Sequence, residues 1–365
     1  MNIESNICGV VLRPVNNNLS GKALTNPLFG KSLIEWVKAA LDDKCTVVDY
    51  DKDVEIPKAV AGIVDANSVY TVVLFADTPL ITKKTVLEAV AMCDKLGLNV
   101  LKMTRGYVFK SSYLRTAEKI FAAKTYFFDE EDFITAQSYR QLALISDILR
   151  QRILSYHMDR GVYFVDMASS YVDCNVVIGK DVIIEPNNTL KGRTIIKNGV
   201  TLQPGNIIED SIIGDNAVIN SSQIFKSAVG DNSHVGPYAH LRPDSIIGAD
   251  CHIGGFVEIK KSVLGQGSKV AHLSYVGDCR MGRNCNIGGG VIFANYDGKK
   301  KHTTRLGDNV FVGSNSVVIA PRIIEDGAYI AGGSAVSQDI PKCSLAIARS
   351  RQVNKPDFNT DKAKY

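Results

Sequence analysis

The sequence has no long hydrophobic run. No apolar stretch is long enough to cross a lipid bilayer, and the N-terminus lacks the apolar segment of a secretory signal. A membrane-spanning or exported protein is therefore not expected. We expect a cytoplasmic protein without a membrane partner.

Two other features are scarce. The eight cysteines include no CxxC pair and no spacing typical of a zinc site, so they are interpreted as reduced and mostly buried residues. An excess of one charge is also nearly absent, because the net charge is only +4. This value is too small to indicate a nucleic-acid partner by itself.

The first part of the chain alternates between two kinds of segment. Its 365-residue length allows two or three domains, and 45% of the residues are apolar, enough for a sizeable core. Residues 7–12, 45–49 and 70–75 are short apolar runs suited to buried parallel strands, whereas 32–41 and 83–96 have helical spacing. This alternation predicts an α/β domain with a doubly wound sheet.

The organisation changes after residue 137. Residues 138–160 have the pattern of one long amphipathic helix, which we interpret as a connector. After Tyr171 the sequence becomes periodic. We therefore divide the chain into an α/β domain (1–137), a linking helix (138–160), a repetitive domain (161–352) and a polar, flexible tail (353–365).

Aliphatic residues, and once a methionine, recur at steps of six positions in the repetitive domain, with a slip of one position before Leu264 and another before Met281. A small or polar residue often follows each one. This hexapeptide repeat is the signature of a parallel β-helix, in which three hexapeptides form one coil of roughly 18 residues. Stacked coils bury a continuous column of inward aliphatic side chains. The repeated positions are Ile178, Ile184, Leu190, Val229, Val235, Leu241, Ile247, Ile253, Ile259, Leu264, Val270, Val276, Met281, Ile287, Leu306, Val312, Val318, Ile324, Ile330 and Val336.

Residues 291–306, VIFANYDGKKKHTTRL, interrupt the repeat. The segment is polar, basic and out of register, so we expect it to loop out of the coils. A solenoid tolerates such insertions on its surface, and loops on rigid scaffolds often carry function. The pattern alone leaves open whether this loop is functional or an idle excursion.

His272 lies in the run AHLSYVGDCRMGRNCNIGGG, two residues after the inward Val270, so its side chain is predicted to point outward. A lone outward histidine is most often a surface or interface residue, and a single lysine or arginine is most often a solvated charge. Coil stacking, however, brings other polar and basic residues close to His272. A neutral imidazole beside cations suits an anionic substrate that loses a proton. The neighbouring residues are Arg242, Lys260, Lys261, Tyr275 and Asn286.

Four longer motifs carry a specific resemblance. VGPYAHLRPDSIIG, GGFVEIKKSVLGQGSKVAHLSYVGD, NIGGGVIFANYDGKKKHTT and VFVGSNSVVIAP closely resemble one family of bifunctional bacterial enzymes. These enzymes are N-acetylglucosamine-1-phosphate uridyltransferases and glucosamine-1-phosphate N-acetyltransferases. The resemblance covers about residues 138–352. It implies a left-handed parallel β-helix, a homotrimer and acetyl-CoA bound in clefts between subunits.

The resemblance also implies roles for individual residues. His272 matches the general base of the family's GHLTYLGD motif, which takes a proton from the attacking amine of glucosamine 1-phosphate. The family's sugar-phosphate ligands match Arg242, Lys260, Tyr275 and Asn286, and Lys301 matches a loop lysine that reaches the active site. The acetyl-CoA contacts match Gly289, Asn295, Tyr296, Ser314, Gly332 and Arg349. At Gly289 and Gly332 the family commonly has alanine.

The first domain departs from this family. The family's Gly-rich phosphate loop is replaced by RPVNNN after Leu12, Pro14 removes a backbone donor, and Pro27 is followed by Leu28 instead of lysine. The basic residues Arg13 and Lys22 do not restore the loop. The domain is also too short for the family's sugar-binding lobe.

Two motifs in this domain keep a partial resemblance. LFADTPLI resembles LYGDVPLI, so Asp77 matches an acidic residue that helps to bind Mg²⁺, although an aspartate that caps a turn is an equal alternative. The family's NTG segment survives only as TRG, residues 104–106. We expect loss of uridylyl transfer, with Mg²⁺ needed only if that activity survives.

The sequence thus predicts an acetyl-CoA-dependent acyltransferase of UDP-N-acetylglucosamine biosynthesis, which supplies the cell wall. The expected partner is a small amino-sugar phosphate. Two alternatives stay open: a non-catalytic trimeric scaffold or regulatory paralogue, and a bifunctional enzyme that retains UTP-dependent transfer. Another amino sugar could also be the acceptor, because a fold does not fix a function.

Overall fold

The computed structural model describes residues 6–15, 26–356 and 358. The chain forms two compact units, one of Met1–Tyr156 with Val172–Cys174 and one of His157–Tyr171 with Asn175–Tyr365. The first unit contains helices and one mixed sheet, and the second is a solenoid of short parallel strands.

The sheet of the first unit combines parallel and antiparallel strands. In the described residues its strands are β1 (Ile7–Pro14), β2 (Cys45–Tyr50), β3 (Tyr70–Phe75), β4 (Val100–Met103), β5 (Gly106–Lys110) and β6 (Lys124–Thr125), in the order β2-β1-β3-β5-β4-β6. β1 pairs in parallel with both β2 and β3, which confirms the strands predicted from the three apolar runs. β4 and β5 form an antiparallel hairpin beside β3, which the sequence analysis did not predict.

The helices of the described chain are α1 (Leu33–Ala39), α2 (Ile56–Val60), α3 (Lys83–Lys95), α4 (Ser111–Leu114) and α5 (Tyr139–Met158), with 3₁₀ turns at Ala61–Ile63 and Glu130–Phe133. α1 begins at a capping box, in which the backbone N–H of Ser32 donates to Glu35 Oε2 at 2.6 Å. α3 begins at Thr82, whose hydroxyl accepts from the backbone N–H of Thr85 at 3.1 Å. These caps fix the starts of the two helices predicted at 32–41 and 83–96.

α5 packs on the first unit through its apolar stripe. Ile145 and Leu149 are buried together with Leu33 and Leu80. Arg152 reinforces this contact, because its Nη1 donates to the carbonyl oxygen of Leu80 at 2.6 Å. The amphipathic spacing of the helix is therefore explained by burial against this unit.

The solenoid consists of three parallel sheets, here named I, II and III. In the described residues sheet I contains β7 (Val162–Phe164), β10 (Val182–Ile184), β13 (Thr201–Leu202), β16 (Val218–Ile219), β19 (His234–Val235), β22 (His252–Gly255), β25 (Lys269–His272), β28 (Asn286–Ile287), β31 (Phe311–Val312), β34 (Tyr329–Ile330) and β36 (Leu345–Ala346). Sheet II contains β8 (Tyr171–Val172), β11 (Thr189–Lys191), β14 (Ile207–Glu209), β17 (Gln223–Phe225), β20 (His240–Leu241), β23 (Glu258–Lys260), β26 (Tyr275–Gly277), β29 (Ile292–Ala294), β32 (Val317–Ile319) and β35 (Ala335–Val336). Sheet III contains β9 (Val177–Ile178), β12 (Ile195–Ile196), β15 (Ile212–Ile213), β18 (Ala228–Val229), β21 (Ile246–Ile247), β24 (Val263–Leu264), β27 (Cys279–Met281), β30 (Thr304–Leu306) and β33 (Ile323–Ile324).

Inward aliphatic residues hold the coils together. Ile253, Val270, Ile287 and Val312 stand in register on four successive strands of sheet I, and none is more than 1% exposed. Burying each such side chain contributes about 1.5–3 kcal/mol relative to exposure. The hexapeptide spacing therefore predicted the β-helix correctly.

The turns from sheet III to sheet I use residues that tolerate a left-handed backbone. Asn232, Asp250, Asn284 and Asn309 have φ of 57°, 57°, 55° and 58°, and Gly267 has φ of 72°. Asparagine and glycine adopt this conformation most readily. Small or polar residues that follow the aliphatics are thus explained by the corners of the coil.

Both predicted boundaries of the loop at 291–306 are wrong. Phe293 fills an inward position of sheet II and is completely buried, and Leu306 returns to sheet III. The strands end at Ala294 and resume at Thr304, so the insertion is residues 295–303. The inward position of this strand holds a phenylalanine instead of an aliphatic residue. The search for aliphatic residues at regular spacing therefore did not predict the strand.

Candidate functional site

His272 lies at the turn from sheet I to sheet II. It ends β25 and pairs in register with Gly255 of the preceding coil. Its carbonyl oxygen accepts hydrogen bonds from Ser274 Oγ at 2.7 Å and from the backbone N–H of Gly290 at 3.2 Å. The backbone is therefore fixed, whereas the imidazole side chain is exposed, as the spacing predicted.

Small residues follow His272 at the same turn of the next coils. A Cβ atom on Gly289 would lie 3.4 Å from His272 Cβ, and one on Gly332 would lie 3.3 Å from the carbonyl oxygen of Ser314. Arg349 follows on the next coil, with its Cδ 3.9 Å from a Cβ built on the adjacent Gly333. We name these residues the histidine edge: His272, Gly289, Ser314, Gly332 and Arg349. The edge forms a track along the coils that begins at the imidazole of His272 and ends at Arg349.

The outward row of sheet I continues from the histidine edge. His234, His252, Lys269 and Asn286 stand in register on successive strands, which places Asn286 one coil after Lys269. Partial burial lowers the pKa of His252, and the charges of His234, Lys269 and His272 lower it further. Both effects favour the neutral form of the His252 imidazole.

The outward row of sheet II carries a charged pair. Glu258 and Tyr275 pair in register, and Arg242 Nη1 donates to Glu258 Oε1 at 2.8 Å. The sequence analysis did not identify Glu258. Glu258 and Lys260 flank the inward Ile259 on one strand, so the alternation of a strand could have placed both on the outward face.

Lys260 and Lys301 meet at the turn from sheet II to sheet III. The Lys301 ammonium group next to Lys260 lowers the pKa of Lys260, and Arg242 contributes in the same direction. Both lysines line a cleft of about 500 Å³ together with Asp278 and Thr303. We name this space the lysine cleft. Two like charges held together in this way favour an anion between them.

The insertion brings Lys301 to this cleft. Tyr296 and Lys301 form an antiparallel bridge, and the carboxylate of Asp297 accepts from the backbone N–H groups of Lys299 and Lys300 at 2.8 and 2.7 Å. These amide donors, with His302, hold the pKa of Asp297 well below its usual range. The loop is therefore internally braced.

Asn295 anchors the start of the loop on the coils. Its Nδ2 donates to Asp278 Oδ2 at 2.5 Å and lies 3.4 Å from Tyr275 Oη. Asn295 and Asp278 are buried, whereas Tyr296 is 60% exposed. The structure thus assembles Arg242, Lys260, Tyr275, Asn295 and Lys301 around sheet II, while the histidine edge lies at the preceding turn.

Asp77 is not available to a metal ion. Arg105 Nε and Nη2 donate to its two carboxylate oxygens at 2.8 and 2.7 Å, and Asp77 is only 3% exposed. TRG forms the tight turn of the β4–β5 hairpin, which carries Arg105 to Asp77. The residues present therefore do not fit Mg²⁺ here, because a guanidinium already neutralises the carboxylate. Across the part of the chain that the structure describes, no group of three or more His, Cys, Asp or Glu could hold a metal.

The segment that replaces the family's Gly-rich loop after Leu12 is described only in part. Arg13 Nε donates to Asp49 Oδ1 at 2.6 Å in an exposed ion pair at the ends of β1 and β2. Lys22 and residues 16–18 of the segment that replaces the Gly-rich loop lie outside the described residues, as does most of the 353–365 tail. In the described chain, none of the helices is apolar over enough residues to span a membrane.

Comparison with known proteins identifies relatives of the solenoid. The model of the GMPPB C-terminal domain matches residues 223–326. Bifunctional protein GlmU of Clostridium tetani is 47% identical over 228 residues, which are 62% of this chain and 50% of that protein. The Clostridium novyi GlmU is 47% identical over 214 residues, 59% of this chain and 47% of that protein. The chain thus spans about half the length of the curated relatives it matches.

Solved structures give partial superpositions. UDP-N-acetylglucosamine acyltransferase of Arabidopsis is 26% identical with a TM-score of 0.37, covering 49% of this chain and 70% of that chain. The enzyme of the same name from Campylobacter jejuni is 19% identical with a TM-score of 0.32, covering 56% and 78%. The relationship therefore rests on the sequence relatives and not on the solved structures. The resemblance predicted from the motifs is confirmed: over about three fifths of its length, this chain is related to the bifunctional GlmU proteins.

Proposed function

We propose that the protein transfers the acetyl group of acetyl-CoA to the amine of glucosamine 1-phosphate. One observation supports this proposal above the others: the exposed imidazole of His272 begins a track of small residues at one turn of the coils, and a cluster of cations around Lys260 lies at the next turn. The track suits a thin, extended thioester, and the cations suit a phosphate. Together they match the two substrates of an N-acetyltransferase.

His272 acts as the general base in this proposal. An ammonium group has no lone pair, so a neutral imidazole first accepts one of its protons. The amine then attacks the thioester carbonyl carbon, a C–N bond forms and the C–S bond breaks. The imidazolium gives its proton to the departing thiolate, and the regenerated imidazole then takes the second proton from the acylated nitrogen and passes it to water. The products are the acetamide, free CoA and one proton.

The cations position the acceptor. Arg242, Lys260 and Lys301 bind the sugar phosphate, and Glu258 orients Arg242 through their 2.8 Å hydrogen bond. Tyr275 and Asn286 contact the sugar. Gly289, Ser314 and Gly332 line the path of the pantetheine arm, Asn295 and Tyr296 border it, and Arg349 meets a CoA phosphate. All these assignments follow from the predicted resemblance together with the geometry described above.

The exposure of His272 supports a shared site. A general base works best where bulk water is excluded, yet this imidazole is exposed on a single chain. We propose that a second and a third copy complete the site in a homotrimer. Sedimentation velocity tests this: the full chain should sediment as a trimer, and a monomer would remove the shared-cleft arrangement.

The ion pair between Arg105 and Asp77 in the first unit favours a protein with acetyl transfer as its one activity. Because Arg105 occupies both oxygens of Asp77, Mg²⁺-dependent uridylyl transfer is not supported, and we propose that this activity has been lost. UTP-dependent release of pyrophosphate would restore the bifunctional alternative.

The proposal is tested by release of free thiol from acetyl-CoA, with and without glucosamine 1-phosphate. A blank with protein alone corrects for the eight cysteines. Thiol release that depends on the sugar phosphate supports the acetyltransferase. A folded trimer without release would instead favour the non-catalytic scaffold or another amino-sugar acceptor.

A further inference from the structure

The two ends of the insertion are held by one residue of the coils. Asp278 Oδ2 accepts from Asn295 Nδ2 at 2.5 Å, and the carbonyl oxygen of Asp278 accepts from the backbone N–H of Thr304 at 3.1 Å. Asn295, Asp278 and Thr304 are all buried. The loop is therefore fixed where it leaves the coils and where it returns, and residues 296–303 connect these two points.

His302 differs from the other residues of this loop. Residues 296–301 and residue 303 are exposed, whereas only 21% of the His302 side chain is exposed. Its Nε2 lies 2.7 Å from Asp297 Oδ2, and its backbone N–H donates to the carbonyl oxygen of Asn295 at 2.8 Å. His302 thus joins the tip of the loop to its fixed start.

Asp297 holds both chain neighbours of Lys301. Its Oδ1 accepts from the backbone N–H of Lys300 at 2.7 Å, and its Oδ2 contacts His302 Nε2. An ionised carboxylate only accepts hydrogen bonds, and the pKa of Asp297 is held well below its usual range, so Nε2 carries the hydrogen. A neutral imidazole with its hydrogen on Nε2 and an imidazolium can both donate this bond. The position therefore requires a donor and not a positive charge.

Lys301 needs such a restraint because of its own charge. Its ammonium group lies next to that of Lys260, and like charges at short range repel each other. The lysine side chain is long and flexible, so the backbone at residue 301 must be fixed for the two ammonium groups to stay together. Two cations that are in place before a phosphate arrives lose less conformational freedom when they bind it.

We propose that His302 is a positioning residue for the acceptor: through Asp297 it holds Lys301 in the lysine cleft, where Lys301 binds the sugar phosphate. This inference rests on the proposed function, because that function assigns Lys301 to the phosphate. The bond between His302 and Asp297 joins two residues of one loop, so it needs no residue from another copy of the chain.

Amide hydrogen exchange of the full chain tests the restraint without any ligand. His302→Ala should raise the exchange rate across residues 295–303 about tenfold, because a charge-assisted hydrogen bond that closes the loop is lost. His302→Gln keeps an N–H donor on its side chain and should restore slow exchange. Lys299→Gln changes an exposed side chain of the same loop, keeps the backbone N–H that donates to Asp297, and should leave exchange unchanged. Equal exchange in the unaltered chain and in His302→Ala would overturn the proposal.

Calorimetric titration with glucosamine 1-phosphate measures the effect on the acceptor without turnover. His302→Ala should weaken binding about fivefold to tenfold, and His302→Gln should restore it. Asp297→Ala should weaken binding at least as much, and adding His302→Ala to it should have no further effect, because His302 acts through Asp297. An unchanged affinity in His302→Ala, or additive losses in the double variant, would overturn the positioning role.

Turnover separates this inference from the proposed function. In the thiol-release assay His302→Ala should raise the KM for glucosamine 1-phosphate and leave kcat within about twofold, because the general base His272 is unaltered. Thiol release with the same KM in both proteins would refute the role of His302 and keep the acetyltransferase. No thiol release from either protein, with acceptor binding that still depends on His302, would refute the acetyltransferase and keep the positioning of Lys301.

Discussion

Arg105 binds Asp77 through two parallel hydrogen bonds of 2.8 and 2.7 Å, and its guanidinium lies 4.4 Å from the centre of the Phe75 ring. The pair joins the end of β3 to the β4–β5 turn in the first unit. A covalently attached cation therefore stands where the resemblance would place a bound one. Its stabilising role can be measured.

Replacement of Arg105 by alanine leaves the buried carboxylate of Asp77 without a partner. We expect the free energy of unfolding to fall by about 3 kcal/mol, because an unpaired buried charge is strongly destabilising. Urea unfolding of Arg105→Ala measures this loss. Arg13→Ala breaks the exposed pair with Asp49 and serves as the control, with no measurable loss. Equal stability of the two variants would contradict the structural role of Arg105.

Replacement of His272 by alanine tests the general base. Turnover should fall about a hundredfold to ten-thousandfold, because an intrinsic proton acceptor is lost while the coils remain intact. His234→Ala removes another exposed histidine of the same sheet and should retain turnover. Steady-state thiol release measures both variants, and sedimentation checks that they assemble alike. Near-normal turnover in His272→Ala would assign proton transfer to another group.

Gly288 and Gly289 respond differently to alanine. A Cβ on Gly288 would lie 2.6 Å from the backbone nitrogen of Ser314, whereas one on Gly289 meets only His272 atoms, at 3.4 Å or more. Gly288→Ala should therefore lower the free energy of unfolding by about 2 kcal/mol, and Gly289→Ala by about 0.5 kcal/mol or less. Thermal unfolding compares the two. The family that the motifs resemble commonly has alanine at this position, so a larger side chain is needed to obstruct the track. Gly289→Leu should raise the KM for acetyl-CoA, and an unchanged KM would count against the track as the thioester path.

Phe293 tests the corrected boundary of the insertion. Phe293→Ala should lower the free energy of unfolding by about 3–5 kcal/mol, because it opens a cavity in the column of inward side chains. The outward neighbour Ile292 is 39% exposed, so Ile292→Ala should cost about 1 kcal/mol or less. Denaturant unfolding distinguishes them. If the two variants lost similar free energies of unfolding, residue 293 would belong to the loop and not to the column of inward side chains.

His157 predicts a pH dependence of stability. Burial lowers its pKa from the usual 6.5, and Arg160 lowers it further. The unfolded chain therefore binds a proton at a higher pH than the folded chain, so this contribution is complete above about pH 6.5 and declines as the pH falls towards the folded pKa. Urea unfolding between pH 8 and pH 5 should show this decline, and His157→Asn should reduce it. An identical pH profile in the variant would exclude His157 as the cause.

The repetitive sequence determined most of the fold in advance. The inward positions such as Val270 and Ile287 were predictable, because a solenoid repeats one local rule on every coil. Phe293 was missed, since an aromatic residue satisfies the same burial without matching the aliphatic pattern. The β4–β5 hairpin was missed because alternating and continuous apolar strands look alike over four or five residues.

The site was less predictable than the fold. His272 and the lysines were proposed from motifs, whereas Glu258 meets Arg242 through a side-chain contact that the spacing along the chain does not predict. The partnership of Asp77 and Arg105 spans 28 residues and depends on how a hairpin meets a parallel strand. Such contacts follow from tertiary packing.

Because the coils are stacked in a single row, we expect the coils at its end to unfold locally more readily than those in its middle. Each coil contacts only its neighbours, and β36 pairs with β34 alone among the described strands. Arg349 follows β36, whereas His272 lies among coils that are paired on both sides. Amide hydrogen exchange should therefore be fastest at the Arg349 end of the histidine edge and slowest around His272. The Arg349 end of the histidine edge can loosen and re-form while the backbone around His272 stays rigid.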